Sequence, residues 1–333
     1  MGIRHLNKYL KSECDQNNGI NLISLNDLSN KKIVVDINIY LYKYVADDSI
    51  IENMYLMLST FKKYNIIPLF VFDGKPPIEK THTIKQRQVD KKNAKNEYNE
   101  HNKNLIENNE NYTEKDKLLI INKKNKLKKK IVYVNQTHIN NVKQLIKSFG
   151  ALYYDAIGES DELCAALVIK NKAWGCLSED MDMFIYGCNN IVRYLSLLNH
   201  TAVVYNVPKI LQKLQMSQIE LREVCVLSGT DYSNINENNN NKNYLLPNVM
   251  KLFKKYKKIN VVNTQSFYNW VFEIENINYN KEHKLVLNTI NNIFNIQNSD
   301  YYNNQIINSI QIEYVEKNDI DIKEVLKNDG FIF

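Results

Sequence analysis

The feature that most narrows the folds open to this chain is a repeated one: short apolar, β-prone runs that each end in acidic residues, with helical patterns between them. KKIVVD (31–36) is followed by the helix-like INIYLYKYV, and IIPLFVFD (66–73) is preceded by Met54, Leu58 and Phe61 at helical spacing. A third run lies in ALYYDAIGESDE (151–162) ahead of LCAALVIK, a fourth is AWGCLSEDMD (173–182), and IVRYLSL (191–197) adds another strand. Strand-length runs that alternate with helices predict an α/β fold of β-α units around a mostly parallel sheet. Pro208 suits the first turn of a helix, and a second helix, ELREVCVLSG, ends just before Asp231.

With 333 residues, 44% of them hydrophobic and 24% charged, the chain can bury a sizeable core, which excludes wholesale disorder and fibrous repeats. Its five cysteines are odd in number and include no C-x-x-C pair, so neither a disulfide framework nor a cysteine zinc site is expected, and the setting is a reducing one. The equal spacing of Cys164, Cys176 and Cys188 reads as three separate buried thiols. No apolar run approaches the ~20 residues of a bilayer-spanning helix, so no membrane association is expected. Asparagine reaches 51 residues, a bias of the kind an AT-rich genome imposes, and it carries no mechanistic weight. Residues 81–130 are dense in Lys, Asn and Glu and read as long exposed helices or partly disordered chain. From about residue 259 the pattern weakens into amphipathic helical segments such as KLVLNTINNIF.

In an open parallel sheet, ligands gather beyond the carboxyl ends of the strands. The runs deliver Asp36, Asp73, Glu159, Asp161, Asp180 and Asp182 there, with Asp231 joining from the later helix end. Any single strand-end Asp is more simply a turn or cap residue, but that reading does not explain five ends in agreement. Like charges ~4 Å apart at an effective dielectric near 20 repel by about 4 kcal/mol per pair, so the cluster calls for cations. Oxygen-only ligands suit Mg²⁺ or Mn²⁺, and seven acids suggest two ions.

Glu159 and Asp161 would diverge on a continuous helix, so Glu159 is expected at or before the helix cap, with Gly158 supplying turn freedom. Asp180 and Asp182 share a direction if the chain leaves the sheet in an extended step. With the seven acids set apart, 43 basic residues face 30 acidic ones. An acidic metal cleft in so basic a body fits a nucleic-acid phosphodiester substrate. Two ions ~4 Å apart can activate a water and stabilise the leaving oxygen of an in-line displacement without a protein nucleophile.

The Met-Gly-Ile start, VVDINIYLYKY, VFDGKPP, GESDELCAAL, SEDMDMFIYG and LSGTDYS resemble, in order and spacing over about residues 1–232, the signatures of the flap endonuclease and XPG family of structure-specific 5′ nucleases. The resemblance implies a PIN-like α/β fold with a helical arch and a divergent helix-two-turn-helix region. It implies two Mg²⁺ ions, with Mn²⁺ as a substitute: Asp36, Asp73, Glu159 and Asp161 at one, Asp180, Asp182 and Asp231 at the other, with sharing between them. Lys80 and Arg87 match the arch Lys and Arg that contact the scissile phosphate. Residues 81–130 would enclose a 5′ single strand, with Lys85 and the basic cluster Lys128, Lys129 and Lys130 on its backbone, and Gly2 would touch substrate.

The implied domains are a catalytic one over 1–258, with the helix-two-turn-helix region at 231–258, and a C-terminal helical region over 259–333. Substrates would be DNA flaps, nicks, gaps or junctions, in the nucleus or at a cytoplasmic viral replication site. The sequence departs from the family in three ways. Residues 45–49 are short where cellular members carry a longer wedge, and Met57 replaces a phosphate-contacting Arg. The Gly-rich turn after Asp231 is an Asn-rich insertion, followed by a basic helix with Lys251, Lys254, Lys255, Lys257 and Lys258. No sliding-clamp peptide is recognisable. Rival readings are an RNA-directed nuclease of the same superfamily and a non-catalytic scaffold; the scaffold would require missing ligands, and all seven acids are present.

Overall fold

The apolar runs build a seven-stranded sheet in a computed structural model that describes residues 3–107, 113–232, 245–259, 266–274, 281–303 and 306–332. The strands are β1 (Ile20–Ser24), β2 (Lys32–Asp36), β3 (Ile67–Phe72), β4 (Leu152–Asp155), β5 (Gly175–Leu177), β6 (Asn190–Ser196) and β7 (Thr201–Asn206). Their order is β1-β7-β6-β5-β2-β3-β4, parallel from β6 to β4, with β7 antiparallel to both β6 and β1. Val34 and Val35 on β2 and Phe70 and Val71 on β3 are fully buried, the continuous apolar run of strands covered on both faces. The sequence reading missed β1 and β7, whose half-exposed antiparallel strands INLIS and TAVVYN mix polar with apolar residues and end in no acid.

The chain divides into two compact units. The first, Met1–Asp36, Ser59–Pro76 and Ala151–Val315, holds the whole sheet. The second is Ile37–Leu58, Pro77–Gly150 and Glu316–Phe333. This division cuts across the expected boundary at residue 258: Leu287, Ile290, Phe294, Tyr301 and Ile307 share one core with Leu163, Phe184 and Tyr205. The amphipathic tail therefore closes the sheet unit.

Within the first unit the helix Ser160–Ile169 is buried nearly all round, as its lack of a polar face requires. It packs on β2, β3 and β5. All five cysteines are free and buried, Cys164, Cys176 and Cys188 among them, as expected of separate thiols. Pro208 stands in the first turn of the helix Val207–Leu214, capped by the Asn206 side chain. The helix Gln218–Ser228 opens with a Ser217–Glu220 capping box. Its Glu223 carboxyl accepts the backbone N–H groups of Phe267 and Tyr268 at the start of the helix Phe267–Ile274, and burial pushes that carboxyl up to about 7.

In the second unit the helices Thr81–Glu107 and Glu114–Ile131 pack on each other. A short link through Asp47 and Asp48 joins the helices Asn38–Ala46 and Ile50–Lys63. Lys128 pairs with Asp48, and Lys129 lies 3.3 Å from Asp47. The helix Gln136–Ser148 packs on Asp319–Asn328. Among the described residues no helix is long and apolar enough to cross a membrane.

Past β3 and β4 two loops run in contact: the Gly74 and Lys75 amides donate to the Gly158 and Ile157 carbonyls at 2.7 and 3.1 Å. A Cβ on Gly74 would stand 2.0 Å from the Ala156 oxygen and 2.5 Å from the Ile157 oxygen, both backbone atoms that cannot swing aside. Gly74→Ala is therefore expected to destabilise the fold by at least about 2 kcal/mol in denaturant melts; an unchanged midpoint would refute the close approach. Glu223, neutral in the fold more readily than in the unfolded chain, contributes stability that is full below about pH 4.5 and is lost as pH rises through about 7. Glu223→Gln is expected to abolish that decline, on the order of 2–3 kcal/mol, when melts at pH 5 and pH 8 are compared with the wild type.

Candidate active site

Register places the acids. Asp36 ends β2 opposite Val71 of β3, two residues before Asp73; Val35 lies opposite Leu177 of β5, three before Asp180; and Phe72 lies opposite Asp155 of β4, four before Glu159. Four neighbouring parallel strands thus release their acidic ends on one side of the sheet. Glu159 is the N-cap of the Ser160–Ile169 helix, in extended conformation, and Asp161 sits in the first turn, as the two-residue spacing demanded. Gly158, however, adopts no left-handed φ, so the turn freedom assigned to it is not used; the glycine the loop needs is Gly74. Asp180 and Asp182 also depart from expectation. Met181 is helical and Asp182 begins the short helix Asp182–Tyr186, so the step between them is a turn rather than an extended one.

A hydrogen-bonded chain ties these residues together. Ser160 Oγ donates to Asp36 Oδ1 at 3.1 Å and Ser178 Oγ to Asp36 Oδ2 at 2.9 Å. The Ser160 amide donates to Asp73 Oδ1 at 2.8 Å, the Asp180 amide to Ser178 Oγ at 3.0 Å, and the Asp182 amide to Asp180 Oδ1 at 3.0 Å. On the far side, Tyr232 Oη donates to Glu159 Oε2 at 2.7 Å. Asp161 and Asp182 are buried, and with Glu162 and Glu159 they surround the buried Tyr186, whose phenol is pushed up by burial first and by these charges second. Burial, with the Asp73 and Asp180 charges added, pushes the Asp36 carboxyl up to about 6 against the opposing Ser178 and Ser160 hydrogen bonds.

Asp231 is half-buried beside Tyr232, whose hydroxyl reaches Glu159. The charges of Asp73 and Asp180, one from each expected set, both act on Asp36. Among the described residues no three His, Cys, Asp or Glu side chains form a ready metal cage as they stand. The donor chemistry nonetheless fits a hard divalent cation: every candidate ligand is a carboxylate oxygen, and burial, with the neighbouring charges added, already raises Asp36, a penalty that a bound cation would offset.

The other expected residues lie outside the acidic cluster's hydrogen-bonded chain. Lys80 is buried at the end of a 3-10 turn, Ile78–Lys80, and Arg87 and Lys85 are exposed on the Thr81–Glu107 helix, all three in the second unit. Lys128 and Lys129 are engaged by Asp48 and Asp47, while Lys130 is exposed. Met57 is fully buried and so presents nothing to a phosphate. Lys251, Lys254 and Lys255 are exposed on the helix Leu246–Ile259, but Lys257 is paired with Glu220 at 3.1 Å. Gly2 and the Asn-rich insertion at Asn238 to Asn241 lie outside the described residues. Sequence reasoning missed Ser160, Ser178, Tyr186 and Tyr232; the available signal was their position inside the same acidic motifs.

Comparison with known proteins identifies the family and the fold. The XPG N-terminal domain model matches residues 1–94 and the XPG I-region model residues 150–231, together about half of the chain. Flap endonuclease 1 of Methanococcus aeolicus is 28% identical over 227 residues, 63% of this chain and 65% of that protein. Flap endonuclease 1 of Glossina morsitans morsitans is 27% identical over 253 residues, 70% of this chain and 61% of that one. The chain thus spans less than two thirds of the length of these curated relatives. In fold it is similar to the catalytic core of Rad2 in complex with DNA substrate (TM-score 0.66, 17% identity, 99% of this chain and 94% of that one). It is also similar to human GEN1 in complex with Holliday junction DNA (TM-score 0.59, 17% identity, 98% and 73%). The two matched segments contain all seven acidic residues together with Lys80 and Arg87, and the chain belongs to the XPG family.

Proposed function

We propose that this chain is a divalent-metal-dependent, structure-specific 5′ nuclease that hydrolyses DNA phosphodiesters near junctions of single strand and duplex. The observation that carries the reading is the hydrogen-bonded run of carboxylates beyond four adjacent parallel strands. The names of the relatives support flaps as substrates, and the Rad2 and GEN1 complexes support DNA and junctions.

Asp36, Asp73, Glu159 and Asp161 would hold one Mg²⁺ and Asp180, Asp182 and Asp231 a second, with Mn²⁺ able to substitute. The chemistry the ions supply when bound is Lewis acidity toward water and the leaving oxygen of an in-line displacement. The Ser160 and Ser178 hydroxyls fix both Asp36 oxygens, so that ligand is oriented before substrate arrives. Tyr232 does the same for Glu159. Lys80 and Arg87 neutralise the scissile phosphate, and the helices Thr81–Glu107 and Glu114–Ile131 follow the 5′ single strand. Lys251, Lys254 and Lys255 along one helix grip duplex phosphates as sequence-independent anchors. The product end carries a 5′-phosphate.

Cleavage of end-labelled flap, nicked and single-stranded substrates with Mg²⁺ and with chelator tests the reading, and a preference for the matched RNA substrates would move it to the RNA-directed alternative. Asp180→Ala or Asp182→Ala is expected to lower kcat by at least about a hundredfold, ~2.7 kcal/mol, with substrate binding largely kept. An unchanged single-turnover rate would contradict the metal site. Lys80→Ala and Arg87→Ala are expected to slow the single-turnover step more than they weaken binding. A pure affinity loss at normal rate would remove both residues from the scissile phosphate.

A further inference from the structure

The loop that delivers Glu159 is held from three directions, all within the sheet unit. Gly74 and Lys75 clamp the carbonyls of Gly158 and Ile157. The Ile157 N–H donates to the Tyr301 hydroxyl at 2.6 Å. Tyr232 takes the Glu159 carboxylate itself. Behind Tyr232 stands Phe294, edge-on at 5.3 Å and 89°, and the same ring meets Tyr186 at 5.1 Å. Phe294 and Tyr301 are both buried, so they act on substrate only through what they hold.

Two features make these contacts more than packing. Glu159 sits at the N-cap without a side-chain bond to the helix, so the helix does not orient its carboxylate. The Ile157 amide lies outside regular structure and needs an acceptor, which a phenylalanine at 301 could not supply although it would fill the same space. Both residues come from the tail that the family resemblance leaves unplaced.

We propose that the tail segment bearing Phe294 and Tyr301 is a positioning element of the metal site: Tyr301 sets the backbone path at Ile157, and Phe294 sets Tyr232, so that Glu159 is fixed at both its main chain and its carboxylate. This rests on the metal-site reading above. Ligand displacements of about 1 Å can cost on the order of a hundredfold in rate, so the tail becomes a determinant of turnover without touching substrate.

The test uses the full chain with Tyr301→Phe and Tyr232→Phe. The control is Tyr314→Phe, whose hydroxyl donates to the Ile66 carbonyl at 3.0 Å in the same unit. Mn²⁺ titration followed by electron paramagnetic resonance should show at least fivefold weaker binding in the first two variants. Their single-turnover kcat should fall at least tenfold with KM within about twofold, while Tyr314→Phe matches the wild type in both. Wild-type Mn²⁺ affinity and rate in either folded Tyr301→Phe or Tyr232→Phe would overturn the proposal. A wild-type protein that binds Mn²⁺ but cleaves no nucleic acid would sink the nuclease reading alone, and the affinity comparison would still decide this one. A wild-type protein that binds no Mn²⁺ would overturn both.

Discussion

Carboxylates are most costly where they are buried and crowded, and this fold places them so at the ends of adjacent parallel strands. Asp36, Asp161 and Asp182 are withdrawn from water, and the charges of Asp73 and Asp180 press on Asp36. Such an arrangement persists only if something else compensates it. Serine hydroxyls and backbone amides take part of that burden, at both Asp36 oxygens, at Asp73 and at Asp180. A donor set made only of carboxylate oxygens suits divalent cations as the remaining compensation.

The rest of the sheet unit follows from keeping that crowd in place. The parallel order β5-β2-β3-β4 aligns the acidic ends, and a residue without a side chain at position 74 lets the β3 and β4 loops touch. The tail closes the same core and returns aromatic residues to the back of the acids. Electrostatic strain, loop contact and tail packing are therefore one problem solved in one unit. The second unit carries Lys80, Arg87 and the helices Thr81–Glu107 and Glu114–Ile131, and its Asp48 and Asp47 engage Lys128 and Lys129.

What could be read from the sequence were the features written in local pattern. An apolar run closed by an acid announces both a buried parallel strand and the direction in which its end points, which is why Asp36, Asp73, Glu159 and Asp180 were legible. β1 and β7 were not, because half-exposed antiparallel strands mix polar with apolar residues and end in no acid. Ser160 and Ser178 escaped because a serine beside an acid is commonplace until its hydroxyl is seen to bond that particular carboxylate. Tyr301 meets Ile157 across 144 residues, a distance no local pattern encodes. The flexible-turn role given to Gly158 failed for a related reason: the demand for a glycine came from two loops meeting in space, and it fell on Gly74.

The central claim is that these separated acids hold divalent cations together. Anomalous diffraction from crystals soaked in Mn²⁺ tests it most directly. The account predicts two peaks among Asp36, Asp73, Glu159, Asp161, Asp180, Asp182 and Asp231; a map with no peak there, or with manganese bound only at other acids, would contradict it.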